Sequence, residues 1–179
     1  ADDGLYVEIA RRVGACEFWF VRPPNLSWAW DALLTRLEKT FKAAGLDPTC
    51  LKVAPWMTPT QFAGFLDAMD VYLDCPSFSG FTTAWAAVQR GLPIVTLEGE
   101  FMRQRLAAGL LRQIGQSEGA VATRNDYVSR AVEWGLSSRI HEPWKLKRNS
   151  LKSAATIAAH DLEAVRGFER AILVELGKD

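Results

Sequence analysis

The chain has 179 residues, of which 49% are apolar and 23% are charged. This composition is typical of one globular domain, or of one lobe of a larger enzyme, and it excludes a disordered or fibrous protein. The 21 basic and 21 acidic side chains cancel, so net charge does not draw the chain to nucleic acid or to an anionic membrane. No apolar run approaches the roughly 18 residues of a membrane span.

Cysteine and histidine are sparse. Cys16, Cys50 and Cys75 occur singly, which favours a reducing, cytoplasmic compartment. Only His141 and His160 are present, so we expect no Cys/His zinc site, and we expect both histidines on the surface. The sequence begins Ala-Asp-Asp without a signal peptide, which is expected of a piece excised from a longer protein.

Short apolar runs alternate with longer helical patterns. Residues 3–13 have a helical pattern, and we expect the strand that normally opens a doubly wound lobe to be missing or supplied from elsewhere. The motif Thr58-Pro59-Thr60-Gln61 predicts a capping box. In chain order, the predicted elements are a strand over 16–21, a helix over 27–44, a strand over 51–54, a helix after Thr58, a strand over 71–73, a helix over 80–90, a strand over 94–97, a helix over 100–114, a strand over 119–122 and a helix from Thr123.

This alternation predicts an α/β fold, a Rossmann-like parallel sheet with helices on both faces. The strand pattern ends near residue 138, and residues 144–159 and 161–176 are predicted to be helical. We therefore predict a Rossmann-like lobe over 1–137. A helical tail over 138–179 would pack on that lobe or on another one.

The turn after the strand at 71–73 has the composition of an anion-binding helix start. Ser79, Thr82 and Thr83 offer hydroxyl donors, and Gly80 lets a ligand approach the backbone. A helix N-terminus adds unpaired N–H groups and a partial positive charge, as in phosphate cradles. The alternative is an ordinary capped helix start with a small-residue loop, and the spacing alone leaves both open.

A second turn, at 97–100, also places a glycine between a strand and a helix. Gly99 and Glu100 could line a ligand wall, and Arg105 could contact phosphate in a bidentate manner. The alternatives are helix stabilisation by the acidic residues and a solvated surface arginine. The sequence has no Asp-x-Asp, no Gly-x-Gly-x-x-Gly and no P-loop. These absences disfavour a metal-bound diphosphate, a nicotinamide cofactor and NTP hydrolysis.

Four segments in order resemble one family. They are VYLDCP (71–76), GFTT (80–83), GLPIVTLEGE (91–100) and RLAA (105–108). Together they are similar to the C-terminal half of the O-linked N-acetylglucosamine transferase (SPINDLY-like) glycosyltransferases. The resemblance implies the C-terminal lobe of a GT-B enzyme, which holds the UDP part of a UDP-sugar donor. It also implies metal-independent transfer of the sugar to a protein Ser/Thr or a glycan acceptor, with no bound cofactor.

The resemblance further assigns roles at the donor site. Thr82 and Thr83 would meet the diphosphate, beside Ser79, Gly80 and Phe81. Ala54, Pro55 and Trp56 would border the uracil, and Gly99, Glu100 and Arg105 would line the neighbouring wall. The N-terminal lobe, the catalytic base and any tetratricopeptide repeats would lie outside this chain. We therefore assign no catalytic residue, and we expect the chain alone to lack transferase activity.

Some positions depart from the family pattern. Phe81 replaces a histidine, Ala86 replaces an aspartate, Trp56 stands near an expected lysine, and a Gln/Lys segment would precede Ala1. Each lost contact is worth about 1–3 kcal/mol, so donor affinity would fall by orders of magnitude. A second hypothesis is therefore a non-catalytic scaffold that binds partners through exposed Trp28, Trp134 and Trp144. A third, a UDP-sugar epimerase, lacks the carboxylate and histidine cluster it would need.

Overall fold

The computed structural model of the protein describes residues 2–25, 27–160 and 162–177. Within these ranges helices and short strands alternate along the chain. The helices are α1 (Asp3–Val13), α2 (Ser27–Ala43), α3 (Pro59–Asp67), α4 (Thr82–Gln89), α5 (Leu106–Gln113), α6 (Arg124–Ser137), α7 (His141–Ala158) and α8 (Glu163–Glu175). The strands are β1 (Phe18–Val21), β2 (Leu51–Ala54), β3 (Tyr72–Leu73), β4 (Ile94–Leu97) and β5 (Ala120–Val121).

The described strands form two parallel groups. β1 pairs with β2, with Phe18 opposite Leu51. β3, β4 and β5 pair in that order, with Leu73 opposite Val95 and the end of β4 opposite β5. One apolar cluster joins the sheet residues to α1 and α6, and a second joins them to α4, α5 and α7. Parallel strands covered by helices in this way confirm the predicted α/β fold.

The helix boundaries follow local side-chain chemistry. Thr58 accepts a hydrogen bond from the Gln61 backbone N–H, and the Gln61 side chain accepts one from the Thr58 N–H at 2.9 Å. The predicted capping box is therefore confirmed. Gly45, with φ of 73°, follows the end of α2 in a conformation that L side chains rarely adopt.

The two helices of the predicted tail differ in their surroundings. α7 buries Trp144, Leu151 and Ala155, and the guanidinium of Arg148 donates to the Met69 carbonyl at 2.7 Å, so α7 packs on the lobe. α8 leaves the apolar side chains of one face exposed, namely Leu162, Val165, Phe168, Ile172, Leu173 and Leu176. The division at residues 137 and 138 stays a prediction. Among the described helices none is long and apolar enough to cross a membrane.

The tryptophans of the scaffold hypothesis are mostly not on the surface. Trp134 and Trp144 are only 5% and 6% exposed, with their rings in an edge-on contact at 6.4 Å. Their predicted exposure is wrong because α7 folds back on the lobe and packs its own Trp144 ring against Trp134. Trp28 is 75% exposed, as expected. His141 and His160 are also exposed, as expected.

Candidate functional site

A buried aspartate organises the loop between β3 and α4. The Asp74 carboxylate accepts hydrogen bonds from the Ser79 hydroxyl at 2.6 Å, the Gly80 N–H at 2.8 Å and the Thr96 hydroxyl at 2.7 Å. Asp74 is 1% exposed. Three donors around one buried carboxylate fix the path of the loop from the end of β3 to the start of α4.

Two further contacts tie this loop to neighbouring helices. The Tyr127 hydroxyl in α6 donates to the Asp74 carbonyl at 2.8 Å, and the Ala107 N–H in α5 donates to the Ser79 hydroxyl oxygen at 2.9 Å. Burial raises the pKa of Asp74 above its ordinary value, against the opposing effect of its hydrogen bonds. The loop is therefore held by β3, β4, α5 and α6 together.

The amino end of α4 presents free donor groups. Phe81 is the N-cap residue of α4, and its side chain makes no capping hydrogen bond. Thr82 and Thr83 are exposed, and the Thr83 hydroxyl lies 2.9 Å from the Tyr72 hydroxyl. Since no side chain caps this end, its first N–H groups and the partial positive charge of the helix remain available to an anion.

Gly80 has a packing reason to lack a side chain. A Cβ atom at this position would lie 2.5 Å from the Thr83 Oγ1 and 2.9 Å from the Tyr72 hydroxyl. Real Cβ atoms do not approach oxygens this closely, so the side chains of Thr83 and Tyr72 would have to move and their hydrogen bond would be disturbed. The absence of a side chain at Gly80 therefore lets the loop lie close to Thr83 and Tyr72 at the start of α4.

We predict that Gly80→Ala lowers the free energy of unfolding by about 1–3 kcal/mol, because the added methyl group overpacks the loop. Gly109→Ala is the matched control, since Gly109 lies in α5 with nothing within 4 Å of an added Cβ. There alanine should raise the free energy of unfolding by about 0.5–1 kcal/mol. Urea denaturation measures both, and equal effects of the two changes would refute the close-packing argument.

The turn after β4 is hydrogen-bonded to the loop between β3 and α4. The Ser79 N–H donates to the Arg103 carbonyl at 2.7 Å, and the Gln104 side chain donates to the Pro76 carbonyl at 3.2 Å. A Cβ on Gly99 would lie 2.6 Å from the Gln104 side chain, which explains this glycine by packing. The helix predicted over 100–114 starts only at Leu106, because these contacts hold Met102–Gln104 in a separate short turn.

Arg105 is engaged by an acidic neighbour. One carboxylate oxygen of Glu98 pairs with Arg105 at 2.8 Å, and the other pairs with Arg112. Burial alone would raise the pKa of Glu98, but hydrogen bonds and charge from both arginines lower it below its ordinary value. Arg105 therefore stabilises the end of β4, and it would have to share its charge with Glu98 to contact a ligand.

We predict that Glu98→Gln lowers the free energy of unfolding by about 1 kcal/mol at pH 7. Because the folded-state pKa is lowered, the contribution of Glu98 is present above its unfolded pKa and is lost as the pH falls through the folded value. Glu100→Gln, at an exposed position in the same turn, is the control and should change little. Denaturation between pH 3 and 7 is the measurement, and a difference between the natural chain and Glu98→Gln that does not shrink as the pH falls would contradict the ion-pair assignment.

The predicted site residues fall into two places. Ser79, Gly80, Phe81, Thr82, Thr83, Gly99, Glu100 and Arg105 lie together after β3 and β4, joined by the contact between Ser79 and Arg103. Ala54, Pro55 and Trp56 lie at the end of β2, in the other group of strands. Ala54 is buried, whereas Trp56 is 65% exposed. Their roles toward a ligand stay predictions.

Sequence reasoning assigned no role to Asp74 or Tyr127. The signal for Asp74 was available, since an acidic residue directly after a buried strand, followed by serine and glycine, has donors within reach at the strand end. Tyr127 offered no such signal, because it lies 53 residues away along the chain. Only the packing of α6 against the sheet brings its hydroxyl to the loop.

Comparisons with known proteins agree with this geometry. A UDP-N-acetylglucosamine--peptide N-acetylglucosaminyltransferase of Caenorhabditis elegans is 26% identical over 168 residues, covering 91% of this chain and 14% of that protein. A probable enzyme of the same name, SPINDLY, from Oryza sativa subsp. japonica is 25% identical over 142 residues, covering 79% of this chain and 15% of that protein. The chain thus spans only a small part of the curated relatives it matches.

A solved structure and a family model complete the comparison. A mutant O-GlcNAc transferase of Thermobaculum terrenum superposes with a TM-score of 0.75 at 24% identity, covering 89% of this chain and 29% of that one. At this identity the match shows the fold. Residues 4–160 match the model described as Glycosyl transferase family 41. The resemblance drawn from residues 71–108 is confirmed, and the chain belongs to glycosyl transferase family 41.

Proposed function

We propose that this chain is the donor-nucleotide lobe of a glycosyltransferase, and that it binds the UDP part of a UDP-sugar. The observation that carries the proposal is the uncapped amino end of α4, with exposed Thr82 and Thr83, directly after β3. In open α/β sheets, ligands bind beyond the carboxyl ends of the strands. The names of the relatives, which specify a UDP-sugar and a peptide, support this donor and a protein acceptor.

The proposed chemistry is electrostatic stabilisation of the leaving diphosphate. The first N–H groups of α4 and the hydroxyl of Thr82 would donate to phosphate oxygens as negative charge develops on them. Asp74 and Glu98, two carboxylates at these strand ends, already bind groups of their own chain. We therefore propose that this lobe binds the diphosphate without a metal ion. The transferred sugar would go to a protein Ser/Thr or to a glycan.

Titration with UDP tests this proposal. We expect amide chemical-shift changes centred on residues 79–86 at millimolar UDP, and a weaker effect after Thr82→Val. Thr60→Val is the matched control, because Thr60 is also an exposed threonine in the first turn of a helix, and Thr58 caps that helix. Unchanged shifts at residues 79–86 with saturating UDP would remove the proposal. Equal loss of binding in the two variants would remove the role of Thr82.

The scaffold hypothesis is less well supported. Phe81 and Trp56 rings that filled the crevice above the helix terminus would favour it, yet these rings are 57% and 65% exposed. Two of its three tryptophans are buried. The epimerase hypothesis has no support either, since both histidines lie on the exposed surface of the tail. The glycosyltransferase proposal therefore accounts best for the site.

The proposal also includes parts outside this chain. A catalytic base and an acceptor-binding lobe would come from the rest of the protein, with tetratricopeptide repeats as a further candidate partner. The exposed apolar face of α8 is the surface on which we propose that the N-terminal lobe packs. The three free cysteines support a cytoplasmic location.

A further inference from the structure

Arg103 differs from the other arginines of the lobe in its contacts. In the described part of residues 1–137, every other arginine side chain pairs with a carboxylate, a hydroxyl or a backbone carbonyl, as Arg105 does with Glu98. The Arg103 side chain is exposed, and its guanidinium lies over the Phe101 ring, 4.6 Å from the ring centroid. Its positive charge therefore has no acidic partner among the residues that the structure describes.

The backbone of Arg103 is fixed close to the start of α4. Its carbonyl accepts a hydrogen bond from the Ser79 N–H at 2.7 Å, and the neighbouring Gln104 side chain donates to the same loop. The residue after Ser79 is Gly80, which lies against Thr83, since a Cβ on Gly80 would be 2.5 Å from the Thr83 Oγ1. Only Ser79 and Gly80 thus separate Arg103 from Thr83 and from the site proposed for the diphosphate.

Arg103 and Arg105 differ in how readily each can bind a ligand. Arg105 is paired with Glu98 at 2.8 Å, so it would have to give up or share that ion pair to contact a phosphate. Arg103 would give up only its contact with the Phe101 ring, which is a weak interaction at an exposed site. A guanidinium presents a planar fork of N–H donors that fits two phosphate oxygens. Arg103 can therefore bind a phosphate without the loss of an ion pair.

We propose that Arg103, and not Arg105, supplies the guanidinium that binds the diphosphate of the nucleotide donor. This inference rests on the UDP binding proposed above. The guanidinium of Arg103 donates two N–H groups to phosphate oxygens, and its charge offsets the negative charge that develops as the diphosphate leaves. Until the nucleotide binds, the Phe101 ring restricts the conformations of the arginine side chain. Arg105 keeps its structural role at the end of β4.

Titration with UDP and with uridine tests this proposal, because uridine lacks the phosphates. We expect Arg103→Gln to weaken UDP binding about tenfold, the loss of one charge-assisted contact, and to leave uridine binding unchanged. Arg103→Lys should lose less, since lysine keeps the charge but not the planar fork. Amide chemical shifts at millimolar ligand are the measurement. Urea denaturation should show unchanged stability in both variants, because Arg103 is exposed.

Two control variants separate a phosphate contact from a general effect of charge. Arg12→Gln removes the same charge from an exposed position in the last turn of α1. The first turn of α1 lies near the β3–α4 loop, where Asp2 binds Ser77, so Arg12 is about 15 Å away along the helix. Salt largely screens an exposed charge at that distance, and UDP affinity should not change. Arg105→Gln should weaken UDP binding less than Arg103→Gln does.

Three results would overturn the assignment of Arg103. One is equal UDP affinity in the natural chain and in Arg103→Gln. The second is a larger loss of UDP affinity in Arg105→Gln than in Arg103→Gln. The third is an equal loss of UDP and uridine binding in Arg103→Gln, which would place the contact away from the phosphates. All three leave UDP binding by the lobe in place, whereas a natural chain that does not bind UDP would overturn the proposed function as well.

Discussion

Replacing Asp74 with alanine should lower the free energy of unfolding by about 3–5 kcal/mol, because two buried donors and one partly buried donor lose their acceptor at once. These donors are the Ser79 hydroxyl, the Gly80 N–H and the Thr96 hydroxyl. The loss should also disorder the start of α4 and weaken UDP binding. Urea denaturation and UDP titration of the same variant measure the two effects.

The variant Asp74→Asn separates the effect of the negative charge from that of the side-chain shape, because asparagine has nearly the same shape as aspartate and no charge. Its amide oxygen can still accept from the Gly80 N–H, so we expect Asp74→Asn to cost about 1–2 kcal/mol. Thr96→Val removes a single donor from the carboxylate and should cost about 1 kcal/mol. An alanine variant no less stable than the asparagine variant would contradict the role of Asp74 as the shared acceptor.

The pH dependence of this effect has a definite sign. Burial raises the pKa of Asp74 in the folded protein, so the folded state holds its proton more tightly than the unfolded state does. The free energy of unfolding of the natural chain, relative to Asp74→Asn, should therefore fall as the pH rises from about 4 through the raised pKa, and then level off. Denaturation from pH 4 to 8 measures this difference, and a rise with pH would contradict it.

Phe81→His should raise UDP affinity by about tenfold, the equivalent of one added hydrogen bond worth about 1.4 kcal/mol. Phe81 is the N-cap residue of α4 and is 57% exposed, so an imidazole there can present an N–H to an anion at the helix terminus. The apolar ring of the natural residue offers no donor. Isothermal titration with UDP is the measurement.

Phe78→His is the matched control for this gain. Phe78 lies in the same loop and is 65% exposed, but it precedes the N-cap of α4 by three residues. It should leave UDP affinity unchanged. An equal gain in both variants would indicate that added polarity alone strengthens binding, and an unchanged affinity in Phe81→His would place the anion elsewhere.

The order of strands and helices could be predicted because each element carries its own periodicity and its own stop signal. The capping box at Thr58 and Gln61 depends only on neighbours in the sequence, so it was predictable. The start of α5 was not, since Met102–Gln104 is held by contacts with Ser79 and Pro76, more than twenty residues away. The exposure of Trp134 and Trp144 was mispredicted for the same reason, because only the return of α7 buries them.

The same difference between local signals and long-range contacts decides which parts of the candidate site could be predicted. The local composition of residues 79–83 indicated an anion-binding helix start, because glycine and hydroxyl residues act there through their own backbone. The Asp74 network could not be predicted in full, since it joins β3, β4, α5 and α6. The pairing of Arg105 with Glu98 is a short-range contact. Only the structure shows that Glu98 holds the guanidinium for which a ligand would have to compete.

The packing of α7 determines how far the protein can be shortened. Leu151 and Ala155 complete the apolar cluster beneath α4 and α5, and the Arg148 side chain binds the chain at Met69. A version truncated at residue 137 would open that cluster to water, whereas one truncated after α7 would lose only a helix whose apolar face already meets solvent. The smallest unit that keeps this cluster covered therefore extends to the end of α7. Removing α8 would take away an exposed apolar surface that favours aggregation, and the shorter protein should crystallise more readily.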